Sequence, residues 1–223
     1  MKRGNLLVGF SLVLVGSVLF TSCIERNDYN TNPNNNYNNT HNSDTTYALN
    51  VQFSVGANTE WAFIDPTDSA YASDSGGTYQ YVDYSMLKSS MTVMSTGANT
   101  SNNLIITTRV KSNNMMGLIF GASSTSNGYA FYIDTAGNYS LYEEGAGTNA
   151  SIPIIPSTQD TLYALKNNWN TIEMDQANGV WTFYINGTQV TSLAARVLSG
   201  SSFGFKILPG TVGYASYLTV RSY

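Results

Sequence analysis

The chain has 223 residues, of which 42% are hydrophobic and only 11% are charged, and its formal net charge is −4. About a quarter of the residues are charged in an ordinary soluble domain, so Asn, Ser, Thr, Tyr and Gly must supply most of the polar surface. This length suffices for a single domain with one core. The composition favours an extracellular all-β protein, and the acidic balance argues against nucleic acid as a partner.

Residues 1–22 have the pattern of a secretory signal peptide. Lys2 and Arg3 give a basic start, and an apolar run follows from Leu6 to Phe20. This run is shorter than the ~20 residues that a membrane-spanning helix needs. Cleavage after residue 22 would leave 10 − 2 = 8 basic residues against 14 acidic ones, hence a net charge of about −6.

Cys23 is the only cysteine in the chain and follows "FTS" directly. This segment resembles the lipobox of bacterial lipoproteins, although Phe20 stands where leucine is usual. The resemblance implies that Cys23 carries a lipid and that the protein is anchored in the cell envelope, in the outer membrane of a Gram-negative bacterium. No polybasic segment is present to bind anionic lipid, so the lipid would be the membrane anchor. The alternative is a secreted protein with an unused thiol.

Residues 23–46 contain the stretch "NDYNTNPNNNYNNTHNSDTT", which is dominated by asparagine. Asparagine has little apolar surface to bury, so we expect a disordered tether between the lipid and the folded domain. The only histidine, His41, falls in this tether.

From Tyr47 to the end, short apolar alternations are separated by turn signals such as Asn178-Gly179 and Asn186-Gly187. They predict strands in 47–55, 103–110, 116–123, 128–134, 138–144, 169–176, 180–187, 202–208 and 214–222. No segment has a helical period over ten residues. We therefore expect residues 47–223 to form an all-β domain, a sandwich or barrel of antiparallel strands.

Several of these segments, taken in order, resemble concanavalin A-like (laminin G-like) jelly-roll domains. The segments are "FSVGANTEW", "GLIFGASSTSNGYAFYIDTAGNYSLYEEG", "WNTIEMDQANGVWTFYINGTQV" and "GSSFGFKIL" followed by "YASYLTV". The resemblance covers most of residues 47–223 and implies a two-sheet antiparallel β-sandwich. This superfamily includes lectins, carbohydrate-binding modules and glycoside hydrolases, so the fold does not choose among these functions.

The segment from Trp169 to Val190 predicts a hairpin with a two-residue turn at Asn178-Gly179, since both residues tolerate positive φ. In that register Glu173 lies opposite Tyr184, and Asp175 lies opposite Thr182. One face then carries the apolar side chains, which are those of Ile172, Met174, Trp181, Phe183 and Ile185. The acids share the other, solvent-facing side with Thr182 and Tyr184.

Glu173 and Asp175 resemble the first two acids of the Glu-x-Asp-x-Glu or Glu-x-Asp-x-x-Glu motif of laminarinase-like glucanases. In that family the last Glu is the general acid/base. Here Ala177 or Asn178 occupies its position, and neither can protonate a leaving group. We therefore expect no catalytic residues, and the acids are interpreted as a polar strand face that can contact a ligand.

Other reactive groups are scarce. The predicted domain has no histidine, which excludes a Ser-His-Asp triad and a His-ligated metal. The stretch "DPTDSAYASDSGG" holds Asp65, Asp68 and Asp74, whose oxygens could bind a structural Ca²⁺, but it is interpreted as a solvated acidic loop. No cofactor or metal is expected.

The aromatic residues supply the remaining candidates. Alternation in residues 128–144 places Phe131, Ile133, Tyr139 and Leu141 on the apolar face, and directs Tyr132 and Tyr142 outward like Tyr184. Outward tyrosines beside carboxylates can stack on sugar rings and bond to their hydroxyls. The alternative is that they are ordinary exposed strand residues.

The sequence thus leads to a set of candidate ligand-binding residues: Tyr132, Tyr142, Glu173, Asp175 and Tyr184. The leading hypothesis is a non-catalytic lipoprotein that binds a polysaccharide or other glycan. One alternative is a structural or adhesion module with a protein partner. Another is a divergent glycoside hydrolase.

Overall fold

The computed structural model describes residues 46–53, 61–65, 70–75, 77–85, 89–124, 127–145, 151–159 and 164–223. The predicted signal peptide, Cys23 and the tether up to residue 45 lie outside the described residues. Within the described ranges, no helix is long and apolar enough to cross a membrane.

The described chain forms strands throughout its length. They are β1 (Thr46–Gln52), β2 (Phe63–Asp65), β3 (Ala70–Ser75), β4 (Thr78–Asp83), β5 (Ser90–Ser95), β6 (Leu104–Ser112), β7 (Met115–Ala122), β8 (Gly128–Asp134), β9 (Asn138–Glu144), β10 (Ser151–Gln159), β11 (Asn170–Ala177), β12 (Val180–Ile185), β13 (Thr188–Ala194), β14 (Ser202–Ile207) and β15 (Val212–Ser222).

These strands form two antiparallel sheets that pack as a sandwich, which confirms the predicted fold class. The nine-stranded sheet has the order β13-β12-β11-β6-β15-β4-β3-β2, and β1 also pairs with β15. The six-stranded sheet has the order β10-β9-β8-β7-β14-β5. Strands distant in sequence lie side by side in both sheets, as in β6 beside β15 and β7 beside β14.

The core lies between the two sheets and is rich in aromatic side chains. Trp181, Phe183 and Phe131 are completely buried there, and the rings of Phe131 and Phe183 stack across the sandwich with centroids 4.6 Å apart. Large buried rings remove much apolar area from water and add favourable ring–ring contacts. These buried rings supply hydrophobic stabilisation that the many small polar residues of this chain do not provide.

The predicted hairpin at Asn178-Gly179 is confirmed residue by residue. Glu173 pairs with Tyr184, and Asp175 pairs with Thr182. Asn178 and Gly179 have φ values of 53° and 73°, as a type I′ turn requires. The five apolar side chains assigned to one face are all fully buried.

The sequence did not reveal β2, β3, β4, β5, β10 or β13. The stretch that was interpreted as an acidic loop contains β3 and the last residue of β2, and this interpretation is wrong for those residues. Ser, Asp and Ala have low strand propensity, so local preference gave no signal. Pairing between β3 and β4, in register from Ala70–Asp83 to Ser75–Thr78, forms these strands instead.

Candidate functional site

The outward-facing side chains of the two sheets form two separate surfaces. We call them the nine-strand face and the six-strand face. Glu173, Asp175 and Tyr184 lie on the nine-strand face, whereas Tyr132 and Tyr142 lie on the six-strand face. The sandwich thickness separates the two groups, so the five predicted residues do not form one site.

Tyr132 lies on the side of β8 opposite to the core residue Phe131, as alternation predicts, but it is only 3% exposed. Its ring covers Gly117 on the neighbouring strand, where an added Cβ would be 2.6 Å from Tyr132 Cδ1. Its hydroxyl donates a hydrogen bond of 3.1 Å to Glu144 Oε1. Burial, followed by the charge of Glu144, raises the pKa of Tyr132 well above its usual value. The expectation of a solvent-facing ring at this position is therefore wrong.

Glu144 joins a buried ion pair that the sequence did not indicate. Lys206 Nζ donates to Glu144 Oε2 at 2.5 Å, and the two side chains are 9% and 4% exposed. The Ser151 hydroxyl donates to the same oxygen at 2.5 Å. Lys206 and Glu144 are 62 positions apart, so no local pattern could connect them. This network satisfies its own charges and leaves little of the six-strand face open at Tyr132.

Tyr142 remains partly exposed at the margin of this network. Its ring meets the Tyr132 ring edge to face, with centroids 5.9 Å apart and planes at 77°. The Tyr142 ring therefore covers one side of the buried network of Tyr132, Glu144 and Lys206.

The nine-strand face is different because its predicted residues stay partly exposed. Tyr184, Glu173, Thr107 and Thr219 lie opposite one another on four consecutive strands. The Thr107 hydroxyl donates a hydrogen bond of 3.2 Å to Glu173 Oε2. One row of the face thus presents a phenol, a carboxylate and two hydroxyls side by side.

The next row contains Thr182, Asp175, Ile105 and Arg221. The hydroxyl of Tyr223 donates to Asp175 Oδ1 at 2.9 Å. Burial, followed by this bond and the charge of Asp175, raises the pKa of Tyr223. Each of the two carboxylates thus accepts one of these hydrogen bonds, through one of its oxygens. Since a carboxylate has about four acceptor positions, both can accept further hydrogen bonds from ligand hydroxyls.

The third acid of a glucanase-like set has no counterpart along β11. Ala177 ends the strand, and Asn178 lies in the following turn. Among the described residues, no group of three or more His, Cys, Asp or Glu side chains could hold a metal ion. Asp68 and the side chain of Asp65 lie outside the described residues, so the possible Ca²⁺ loop stays a prediction.

Two further rows complete the nine-strand face at the opposite end of β6. Arg109 lies opposite Thr171 and Tyr217, and Lys111 lies opposite Tyr214. The Arg109 guanidinium carbon is 5.3 Å from the centroid of the Trp169 ring. Sequence reasoning missed this basic end, although the spacing of Arg109 and Lys111 two positions apart in a strand places them on one face.

Comparison with solved structures finds several similar proteins. An endo-β-galactosidase from Clostridium perfringens that releases GlcNAcα1-4Gal matches 84% of this chain and 66% of its own, with a TM-score of 0.51 and 10% identity. A sialidase matches 78% of this chain and 18% of its own, with a TM-score of 0.51 and 11% identity. A carbohydrate-binding module from Bacillus subtilis matches 80% and 95%, at a TM-score of 0.46 and 12% identity.

No protein-family model matches the chain, and no curated protein sequence matches it. At identities this low, structural likeness establishes the β-sandwich fold and leaves the function to the side chains of this chain.

Proposed function

We propose that the domain is a non-catalytic module that binds glycans on its nine-strand face. The proposal depends on one observation above all: Glu173 and Asp175 stay partly exposed beside Tyr184, and each accepts from a hydroxyl, that of Thr107 on β6 and that of Tyr223 just after β15. Such groups, held on sheet strands, are pre-organised and lose little freedom on binding.

This set of groups matches the chemistry of a sugar. A pyranose presents an apolar C–H face that stacks on an aromatic ring, and hydroxyls at its rim that donate to carboxylates. Tyr184 and Glu173 are directly opposite in the β11–β12 pair, so their side chains are near neighbours. One sugar ring could therefore contact both residues.

The β-sandwich fold and the sequence resemblance to concanavalin A-like domains agree with this proposal. Non-catalytic binding is favoured over hydrolysis because no carboxyl follows Asp175 on β11 to serve as the proton donor. Glu173 and Asp175 nevertheless support a hydrolase as the second candidate. Release of reducing ends from a bound glycan, abolished in Glu173→Gln, would establish the hydrolase and refute the non-catalytic proposal.

We further propose that Cys23 is lipidated and that the protein is a lipoprotein of the cell envelope, in the outer membrane of a Gram-negative bacterium. The support is the sequence pattern of residues 1–23. Metabolic labelling with a fatty-acid analogue should mark the wild-type chain but not Cys23→Ser. Equal labelling of both would refute the anchor and leave the glycan proposal standing.

Glycan binding is tested with the full chain, purified in detergent and applied to plant, host and microbial polysaccharides. Binding should weaken in Tyr184→Ala, which removes the stacking surface, and persist in Tyr142→Ala, which alters the other sheet. Absence of binding to every polysaccharide refutes the proposal. Recovery of a specific envelope protein by such a non-binding chain would favour the adhesion alternative.

A further inference from the structure

The carboxylates of the nine-strand face lie towards one end of its strands, where Arg221 shares the row of Asp175, and two cations lie towards the other end. Glu173 and Asp175 lie in the two rows near the start of β6, and Arg109 and Lys111 lie in the two rows near its end. The outermost rows pair at Ile105 and Lys111 of β6, six residues apart, which is about 20 Å along a strand. A ligand chain of several sugar rings could cover both ends.

The rows that contain Arg109 and Lys111 hold no acid among the described residues. Among the described residues, ion pairs join Arg196 to Glu143 and Lys206 to Glu144, and neither pair includes Arg109 or Lys111. The whole chain is acidic. Two neighbouring cations for which the described residues supply no carboxylate partner, on the face that holds the proposed glycan site, therefore attract anions locally.

Aromatic rings surround these cations. Arg109 lies over Trp169, and Tyr217 and Tyr214 lie opposite Arg109 and Lys111 on β15. A guanidinium that rests on an indole is held in a defined orientation, and Arg presents paired donors that match a carboxylate or sulfate. Rings and paired donors together suit a sugar that carries an anionic group.

A small recess adjoins Lys111. It has room for about one water molecule and is lined by Lys111, Asn167, Asn168, Thr135 and Asp134 among others. Asp134 is the one acid of this lining, and its oxygens accept from the Ala136 and Asn138 backbone amides and from the Asn138 side chain. The turn after β8 thus engages this carboxylate, and Lys111 is the one cation of the lining.

From this arrangement we infer that the preferred ligand is an acidic polysaccharide, whose carboxylate or sulfate group is bound by Arg109 and Lys111 while neutral hydroxyls meet Glu173 and Asp175. This inference rests on the proposed glycan binding and narrows its substrate class.

The test compares matched ligands with and without the anionic group. Polygalacturonate is compared with its methyl ester, and a sulfated galactan with its desulfated form, using the full chain in detergent. At low salt at least one acidic form should bind about tenfold tighter than its neutral counterpart, because bonds to charged groups are stronger than neutral ones, and added salt should reduce this preference. A preference within the polygalacturonate pair indicates recognition of a carboxylate, and a preference within the galactan pair indicates recognition of a sulfate.

The Arg109→Gln/Lys111→Gln variant should lose this preference while it retains binding to the neutral forms. The control is Arg196→Gln, which removes the same charge from an exposed pair with Glu143 and should keep the preference. Unaltered melting temperature shows that each variant is folded.

Three outcomes overturn the inference. They are equal binding of acidic and neutral forms, an unchanged preference in the double variant, and equal affinity for inorganic polyphosphate, which would indicate a general anion surface. In each case binding of neutral glycans that depends on Tyr184 would leave the proposed function intact. Absence of binding to any glycan would refute both.

Discussion

Trp181 and Gln176 are opposite residues of the β11–β12 hairpin, and the buried indole N–H of Trp181 donates to Gln176 Oε1 at 2.9 Å. The amide of Gln176 in turn donates to the carbonyls of Thr100 and Asn102, at 2.8 and 3.0 Å. One buried amide therefore connects the hairpin turn to the loop before β6.

Gln176→Leu should lower the free energy of unfolding by about 1–3 kcal/mol, because the Trp181 N–H and two carbonyls lose their partner inside the protein. Urea unfolding followed by tryptophan fluorescence measures this change. Thr182→Val, on the outer face of the same hairpin, is the control and should stay within about 0.5 kcal/mol of wild type. A Gln176→Leu chain as stable as this control would show that water reaches the Trp181 N–H.

Gly117→Ala should destabilise the fold by about 1–3 kcal/mol, the usual cost of overpacking. A Cβ at this position would be 2.6 Å from Tyr132 Cδ1 and 2.9 Å from the Phe131 carbonyl oxygen. In the Tyr132→Leu background the same substitution should cost less, since one of the two contacts is gone. Chemical denaturation of the four chains gives the coupling energy, and purely additive effects would contradict the contact.

Lys206→Met should cost about 3–5 kcal/mol, because it leaves the buried Glu144 carboxylate without its cation. The double variant Lys206→Met/Glu144→Gln should recover much of this loss, since the neutral amide can accept from one of the two hydroxyls, of Tyr132 and Ser151, and donate to the other. Thermal and urea unfolding check both variants. If Lys206→Met lowers the free energy of unfolding by less than the double variant does, Lys206 is not needed to stabilise the Glu144 carboxylate.

Stability should fall as the pH rises above about 10, the ordinary tyrosine value. Burial raises the pKa of Tyr132 and of Tyr79 above that value in the folded protein. Above pH ~10 the unfolded chain releases these protons while the folded chain retains them, so each residue lowers the free energy of unfolding by up to about 1.4 kcal/mol per pH unit. Below pH ~10 this contribution is constant.

Tyr132→Phe should reduce that alkaline slope, because it removes one of the two buried phenol protons. The control is Tyr47→Phe, at a tyrosine that is 50% exposed. The readout is the urea midpoint between pH 8 and pH 11. An identical slope in wild type and Tyr132→Phe would mean that Tyr132 ionises in the folded protein as readily as in the unfolded chain.

Tyr223→Phe should weaken glycan binding on the nine-strand face severalfold and leave the unfolding midpoint unchanged. Tyr223 is 53% exposed, and its hydroxyl orients Asp175, so the loss concerns the binding surface rather than the core. Isothermal titration against the best glycan of the screen measures it. An unaltered affinity would remove Asp175 from the contact surface.

Local sequence was sufficient for several elements. The alternation from Ile172 to Ile185 and the Asn178-Gly179 turn predicted a register that is confirmed at every pair. The reason is that a two-residue hairpin encodes its pairing within a few residues of chain. The same alternation correctly assigned Phe131, Ile133, Tyr139 and Leu141 to the core.

Other elements depend on partners that are distant in sequence. β3 and β10 have weak strand propensity, since they contain Ser, Asp or Pro, and they form because β4 and β9 pair with them. The pairing of Lys206 with Glu144 depends on where β14 and β9 fall in one sheet. The sequence around Lys206 and around Glu144 does not indicate this ion pair.

Composition, alternation and turn residues by themselves determined an all-β chain, the faces of its hairpins and the absence of a third acid after Asp175. Only the tertiary structure decided that Tyr132 is buried, that Tyr142 and Tyr184 belong to different faces, and that Arg109 and Lys111 share a face with Glu173. The physical reason is that alternation states which side of a strand a residue takes. Strand order determines to which sheet the strand belongs and which neighbouring side chains cover that residue. Contacts between distant segments of the chain set the strand order.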